Sequence, residues 1–138
     1  MKHWAYHLVG LPWAPGAEGP QAFDCWGLVR FAVRLKLGIE MPVVQVGGEH
    51  NVAAIAQAAQ AGGWRLVDAA PSEDDIVLMR SVAGRHVGFM ASAAGRLLLL
   101  HSNGRLTAKG PCGGVMLQQL RDVACDGYGS FETWRRTP

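Results

Sequence analysis

Residues 23–38, FDCWGLVRFAVRLKLG, form the most apolar helical segment of the chain and decide how the rest is interpreted. Most positions from Cys25 to Leu37 are apolar, while Arg30 and Arg34, four residues apart, make one exposed stripe. A helix this apolar over most of its circumference packs on several sides, so it is predicted to be the central helix of the domain. Asp24 is its expected N-cap and Gly38 its C-terminal stop.

The segments around this helix are short and bounded by turn residues. A first helix is predicted over residues 2–9, ending at Gly10, and a Pro/Gly-rich loop covers residues 11–23. The alanine-rich segment 51–61 predicts another helix, with Asn51 as N-cap and Gly62-Gly63 as stop.

After residue 63 the pattern changes to short strands. They are predicted over residues 64–67, 75–80, 86–91, 96–101, 114–120 and 129–135. Hairpin connections fit Ala83-Gly84, Ala94-Gly95, Asn103-Gly104 and Gly113-Gly114, which favours consecutive antiparallel strands over crossover helices. The segment 97–100 is apolar throughout and is expected in a central strand. The predicted fold class is α+β, with N-terminal helices packed on a mostly antiparallel sheet of five to six strands.

Length and charge exclude several classes of protein. A chain of 138 residues is predicted to form a single domain, 1–138. Its 13 Lys+Arg against 11 Asp+Glu give no strong field for nucleic acid or an anionic membrane. The longest aliphatic run, 97–100, is too short to span a bilayer, and residues 1–7 do not resemble a secretory signal. Synthesis in the cytoplasm without a signal peptide or membrane insertion is therefore expected.

Three cysteines, an odd number, argue against a disulfide framework and leave at least one free thiol. Cys25 opens the central helix behind a Gly/Pro-rich loop, where the helix dipole and unpaired N–H groups favour a thiolate. Such a thiolate is a candidate nucleophile, although a free cysteine is more often a small buried hydrophobe. Cys125 is expected to be structural and Cys112 a loop thiol, and pairing between them is unsupported.

A thiol nucleophile needs a base, and the base needs a third group to orient its ring. His86 begins one predicted strand, and His101 ends the next strand along the chain. Because a hairpin makes these strands antiparallel, the two histidines are expected to be neighbours at one edge of the sheet. The sequence thus predicts a Cys–His–His set of catalytic residues.

Other histidines and a metal site are the competing interpretations. His3 and His7 are read as one solvated helical face rather than a metal pair, and His50 as a loop residue beside Asn51. The Cys–His–His set together with Cys112 has ligand types that suit zinc, but it lacks a Cys-x-x-Cys or a close His pair. A metal site is therefore not expected.

Five segments carry a resemblance to the NlpC-type bacterial cell-wall cysteine peptidases. They are LVGLPW at 8–13, FDCWGLV at 23–29, DIVLM at 75–79, HVGF at 86–89 and LH at 100–101. They follow the family's order across residues 1–135, and the Asp-Cys-x-Gly-Leu-Val element is specific when a His-Val-Gly strand follows. The resemblance implies a papain-like fold in which the cysteine starts a helix packed on the sheet.

The same resemblance implies a role for each site residue. Cys25 matches the nucleophile, His86 the general base and His101 the residue that orients the base. The substrate and oxyanion region is expected to include Asp24, Trp13 and Trp26; Asp24 would contribute its backbone, and Trp13 lies where many members have a tyrosine.

A tryptophan after the cysteine, the segment 38–42 and a bare catalytic domain resemble the peptidases of phage tails and phage-derived particles. The family resemblance implies an endopeptidase that hydrolyses amide bonds in peptidoglycan stem peptides, next to a D-isoglutamyl or γ-D-glutamyl linkage to diaminopimelate, and that needs no metal or organic cofactor. Tail hub or tail-tip proteins are the implied partners, and the particle would carry the enzyme to the wall. The alternative is a structural tail-tip or adaptor subunit with weak or conditional activity, whose interface would use Trp13, Phe89, Tyr128, Phe131 and Trp134.

Overall fold

The predicted central helix is α1, Cys25–Leu37, in a computed structural model that describes residues 3–44, 52–81 and 84–137. The Asp24 carboxylate accepts a hydrogen bond from the Gly27 N–H at 2.5 Å, as an N-cap does. Gly38 is left-handed (φ +70°), and its N–H donates to the Arg34 carbonyl. Both predicted ends of α1 are confirmed.

Six strands form one sheet in which every hydrogen-bonded pair is antiparallel. They are β1 Trp64–Val67, β2 Ile76–Ser81, β3 Gly84–Ala93, β4 Arg96–Thr107, β5 Gly110–Gln118 and β6 Gly129–Arg136. The spatial order is β1-β6-β2-β3-β4-β5, so β2 to β5 form a meander and β6 returns beside β2. Two further helices are α2, Val52–Ala61, and α3, Leu120–Cys125. The α+β class with a six-stranded antiparallel sheet is confirmed.

The predicted hairpins at Asn103-Gly104 and Gly113-Gly114 are wrong. Both pairs lie inside strands, where Asn103 faces Gly114 and Gly104 faces Gly113, and the turn is at residues 108–109. Gly104 and Gly114 instead allow neighbouring groups to approach the backbone of the strands closely. A Cβ on Gly104 would collide with the Trp13 ring, and one on Gly114 would lie 2.5 Å from the Leu11 carbonyl oxygen.

The N-terminal segment is a series of turns rather than an α-helix. Only Tyr6–Leu8 forms a 3₁₀ turn, where a helix over 2–9 was predicted. The chain then lies along the outer edge of β5, since the Gly10 N–H donates to the Val115 carbonyl and the Val115 N–H to the Leu11 carbonyl, both at 2.9 Å. Covering this edge leaves fewer strand groups open to pairing with another chain.

Helices lie on both faces of the sheet, although the sequence predicted only N-terminal ones. On one face α1 packs against β3 and β4 around a core that includes Val87, Phe89 and Leu100. On the other face α3 contributes Val123 to a second cluster, whose strand members are Val77, Met79, Met90 and Leu99. The strand predicted over 114–120 is β5, Gly110–Gln118, which begins four residues earlier and ends two residues earlier because the chain turns into α3 after Gln118.

The central position predicted for segment 97–100 is confirmed, because β4 lies between β3 and β5. Leu99 and Leu100 are fully buried, whereas Leu97, close to the turn at Ala94-Gly95, is 39% exposed. The expected cap Asn51 and the loop residue His50 lie outside the described residues. No helix in the described ranges has the length and apolar character needed to cross a membrane.

Replacing Gly27 with alanine is expected to destabilise the protein by about 1–3 kcal/mol, the usual range for overpacking. An added Cβ would collide with the Ala17 carbonyl oxygen and lie 2.8 Å from Asp24 Oδ1, which caps α1. Chemical denaturation measures the loss. Gly129→Ala is the matched control, because a Cβ there meets no atom within 4 Å; equal stability of the two variants would contradict the prediction.

Candidate active site

The start of α1 is held against β4 by buried hydrogen bonds. The Ser102 hydroxyl donates to the Phe23 carbonyl at 2.7 Å, and both residues are fully buried. The Asp24 N–H donates to the Ala17 carbonyl at 2.8 Å. Cys25, the next residue, is thereby fixed relative to the strand that carries His101.

The Cys25 thiol is neutral in this structure, not the thiolate expected at a helix start. Burial, and to a smaller extent the charge of Asp24, raises its pKa to about 12. The backbone N–H groups of Trp26, Val87 and Cys25 itself act in the opposite direction and lower the pKa. Dehydration therefore outweighs the stabilisation that the helix start offers to a thiolate.

His86 and His101 are hydrogen-bonded to each other, as the sequence predicted. The distance from His86 Nε2 to His101 Nδ1 is 2.8 Å, and the rings meet edge-to-face. Burial, and then the charge of His101, lowers the pKa of His86 to about 3. Burial also lowers the pKa of His101, although its hydrogen bond to the Gln118 amide oxygen and the charge of Asp126 act in the opposite direction. Both imidazoles are neutral at neutral pH.

Cys25 and His86 are neighbours without a hydrogen bond between them among the described residues. Two observations place them together. The Val87 N–H acts on the Cys25 sulfur, and Cys25, when ionised, raises the pKa of Tyr128, whose ring stacks on His86 with 4.9 Å between the ring centroids. The pairing of β3 with β4 extends from the turn at Ala94-Gly95 to the pair Phe89–Leu100, so it stops two residues before Val87 is reached. The thiol lies where the two strands have separated.

Tyr128 belongs to the site, although the sequence assigned it to a possible interface. Its hydroxyl donates to Asn103 Oδ1 at 2.8 Å while its ring covers His86. Burial raises the pKa of Tyr128, and the charges of Cys25 and Asp126 raise it further. No sequence feature marks it, because it follows α3, which was itself not predicted.

Two more polar residues extend the histidine pair. His101 Nε2 lies 2.7 Å from Gln118 Oε1, and Gln118 Nε2 donates to Asp126 Oδ2 at 3.2 Å. Gln118 is on β5 and Asp126 is the C-cap residue of α3. Only the register of β5 against β4 brings Gln118 beside His101, so the sequence alone gives no sign of the contact.

The three residues expected in the substrate and oxyanion region have different positions. Trp13 lies over Gly104, next to the Asn103 that accepts from Tyr128. The Trp26 side chain is buried in the core and donates to the Pro42 carbonyl at 3.1 Å, so only its backbone N–H faces the sulfur. The Asp24 N–H is already used by Ala17. Asp24 therefore acts as a helix cap, and the N–H groups of Cys25 and Trp26 remain for an oxyanion.

The zinc alternative has no ligand cluster in the part of the chain that the structure describes. No group of three or more His, Cys, Asp or Glu side chains there is arranged to hold a metal ion. Cys112 and Cys125 are both exposed free thiols. His3, expected with His7 on a solvated helical face, lies outside the 3₁₀ turn Tyr6–Leu8. Its Nε2 is 2.6 Å from the Ser92 carbonyl oxygen, so it hydrogen-bonds to β3.

Acid is expected to destabilise the protein below about pH 6.5. His86 has a pKa of about 3 when folded against 6.5 ordinarily, so the unfolded chain binds more protons between these values. The free energy of unfolding therefore falls as the pH falls, by up to about 1.4 kcal/mol per pH unit from this group. The pKa of His101 is also lowered, so this residue adds to the loss of stability in acid. Denaturant unfolding from pH 8 to pH 4 measures the slope; His86→Gln should reduce it, and His7→Gln, at an exposed residue, controls for losing an imidazole. A slope unchanged by His86→Gln would contradict the assignment.

Alkali is expected to destabilise the protein through Cys25. The thiol pKa of about 12 in the folded state exceeds its ordinary 9.0, so the unfolded chain loses its proton first as the pH rises above 9. The free energy of unfolding then falls with rising pH. Cys25→Ala should flatten this decline and Cys125→Ala, at an exposed thiol, should not; the reverse order would exclude a buried neutral Cys25.

Comparison with known proteins adds no family to this geometry. No family model matches the chain, and no curated protein matches it. Inference about its function therefore depends on the site residues themselves.

Proposed function

We propose that this chain is a cysteine peptidase with Cys25 as nucleophile, His86 as general base and His101 as the residue that orients the base. One observation carries the proposal: a buried, hydrogen-bonded His86–His101 pair lies beside a helix-start thiol. An ordinary buried cysteine needs no such neighbours. Burial lowers the pKa of both imidazoles, and neighbouring groups with shifted pKa values are typical of functional sites.

The first step is attack of the Cys25 sulfur on an amide carbonyl. As the S–C bond forms, the thiol proton passes to the free nitrogen of His86, and the carbonyl π electrons move to oxygen. The backbone N–H groups of Cys25 and Trp26 are unused by helical carbonyls and are suited to stabilise this oxyanion. Because thiol and imidazole both begin neutral, proton transfer accompanies attack rather than preceding it.

The second step breaks the C–N bond and the third frees the enzyme. The imidazolium of His86 gives its proton to the leaving amine as the oxyanion collapses to a thioester. Water then attacks the thioester, His86 accepts its proton, and the acid product leaves with the thiol restored. His101 holds the ring of His86 by the 2.8 Å hydrogen bond throughout.

The substrate we propose is the peptide stem of peptidoglycan, cleaved at an amide bond next to a γ-D-glutamyl linkage. Support comes from the NlpC-type segments around Cys25 and His86, together with a helix-start cysteine packed on an antiparallel sheet, as a papain-like fold requires. We further propose delivery to the wall by a phage tail or tail-like particle, with hub or tail-tip proteins as partners.

A second candidate is a structural tail-tip or adaptor subunit with conditional activity. The observation in its favour is the dehydrated, neutral thiol, which lacks a hydrogen bond to His86 in the described part of the chain. Under this function the site becomes competent only after a neighbouring protein is bound or released. Stoichiometric co-purification with tail proteins and no turnover by the isolated chain would favour it over the peptidase.

The isolated protein is expected to release muropeptides from purified peptidoglycan. Cys25→Ala is expected to release none, because this variant lacks the thiol that forms the thioester. Mass spectrometry of the soluble products identifies the bond that is cleaved. Cys112→Ala, which removes an exposed thiol, is the matched control and should retain full activity. Undiminished activity of Cys25→Ala would refute the nucleophile assignment.

A further inference from the structure

A chain of hydrogen bonds joins the candidate base to the surface. It runs from His86 Nε2 to His101 Nδ1 (2.8 Å), from His101 Nε2 to Gln118 Oε1 (2.7 Å), and from Gln118 Nε2 to Asp126 Oδ2 (3.2 Å). His101 is fully buried, Gln118 partly exposed and Asp126 exposed. Each link comes from a different element: β3, β4, β5 and the C-cap of α3.

The hydrogen bond at the exposed end, between Gln118 and Asp126, can have only one donor and one acceptor. An ionised carboxylate accepts hydrogen bonds and donates none. Asp126 must therefore receive the amide NH₂ of Gln118, which turns the amide oxygen of Gln118 toward His101. An amide without such a partner is free to present either its oxygen or its nitrogen to a neighbour.

The direction of this hydrogen bond determines which nitrogen carries the proton in both imidazoles. Because Gln118 Oε1 only accepts, the proton of neutral His101 is on Nε2 and its Nδ1 is an acceptor. His86 then donates from Nε2 to His101 Nδ1, and its own proton is on Nε2. The remaining nitrogen, Nδ1 of His86, carries a lone pair and makes no hydrogen bond within the described residues.

We propose that Gln118 and Asp126 are positioning residues that select the Nε2–H tautomer of His86 and so keep its Nδ1 free to accept the Cys25 proton. The selection of the tautomer stands independently of any reaction, while its catalytic consequence rests on the proposed peptidase function. If the Gln118 amide were reversed, the proton of each imidazole would move to the other ring nitrogen. His86 then carries its proton on Nδ1 and has no lone pair there for the thiol.

Nitrogen-15 NMR of the imidazole rings, on the whole protein near neutral pH, reports the tautomers directly. The wild type should show His86 and His101 as Nε2–H. Asp126→Asn removes the obligatory acceptor, because an amide also offers a donor to Gln118. The ratio of the two His86 tautomers should then change by about fivefold or more, as expected for the loss of a hydrogen-bond preference of about 1 kcal/mol.

Two variants separate this effect from a structural one. Asp122→Asn removes the same charge from the same helix at an exposed residue outside the chain of hydrogen bonds, and it should leave the tautomers unchanged. Gln118→Glu combined with Asp126→Asn restores an acceptor-only group beside His101, since the Glu carboxylate accepts from both neighbours. This double variant should return His86 to the single wild-type tautomer, and it also tests the proposal if Asp126→Asn alone does not fold.

Peptidase kinetics supply the second readout. kcat on peptidoglycan fragments should fall with the lost fraction of the Nε2–H tautomer, with KM unchanged, and recover in the double variant. A tautomer ratio in folded Asp126→Asn equal to that of the wild type would overturn the proposal, as would a folded double variant with mixed tautomers. If the tautomers respond as expected while the wild type cleaves no substrate, the positioning role stands and the proposed function fails.

Discussion

The candidate site depends on one buried hydrogen bond, from the Ser102 hydroxyl to the Phe23 carbonyl. Ser102 follows His101 in the chain, and Phe23 is two residues before Cys25. Because both partners are fully buried, separating them would leave a polar group unsatisfied at a cost of about 1–3 kcal/mol. No direct hydrogen bond between Cys25 and the histidines, among the residues described, performs this task. The distance from the proposed nucleophile to the proposed base is therefore set by the docking of α1 on β4.

The same docking that positions Cys25 also shields its thiol partly from water. A dehydrated thiol and a dehydrated imidazole both prefer their neutral forms, as the raised pKa of Cys25 and the lowered pKa of His86 express. Charge would then develop only during attack, when the backbone N–H groups at the start of α1 already point to the place where it forms. Donors that are fixed in advance need not reorganise, which is the main source of electrostatic catalysis.

Sequence predicted the features that local chemistry determines. The caps of α1 are within three residues of its ends, and the short hairpin at Ala94-Gly95 fixes which strand ends meet, so α1 and the His86–His101 pair were both anticipated. Gln118, Asp126 and Tyr128 were missed because strand register and the turn into α3 bring them to the site from distant positions. The pair Asn103-Gly104 has the sequence of a hairpin turn, yet Gly104 is needed because the Trp13 ring approaches its backbone closely. A glycine in the sequence does not reveal whether a turn or a close contact requires it.

The site also requires that β3 and β4 separate where they do. Because side chains alternate along a strand, His86 and His101 lie on the same face of the sheet as Met90 and Leu99. The helix α3 covers that face, whereas α1 packs on the opposite face. A backbone N–H lies in the plane of a sheet, so a sulfur that reaches the Val87 N–H must enter that plane. Continued pairing beyond Phe89–Leu100 would have filled this space with strand hydrogen bonds. A thiol from one face meets imidazoles from the other because the ladder ends two residues after Val87.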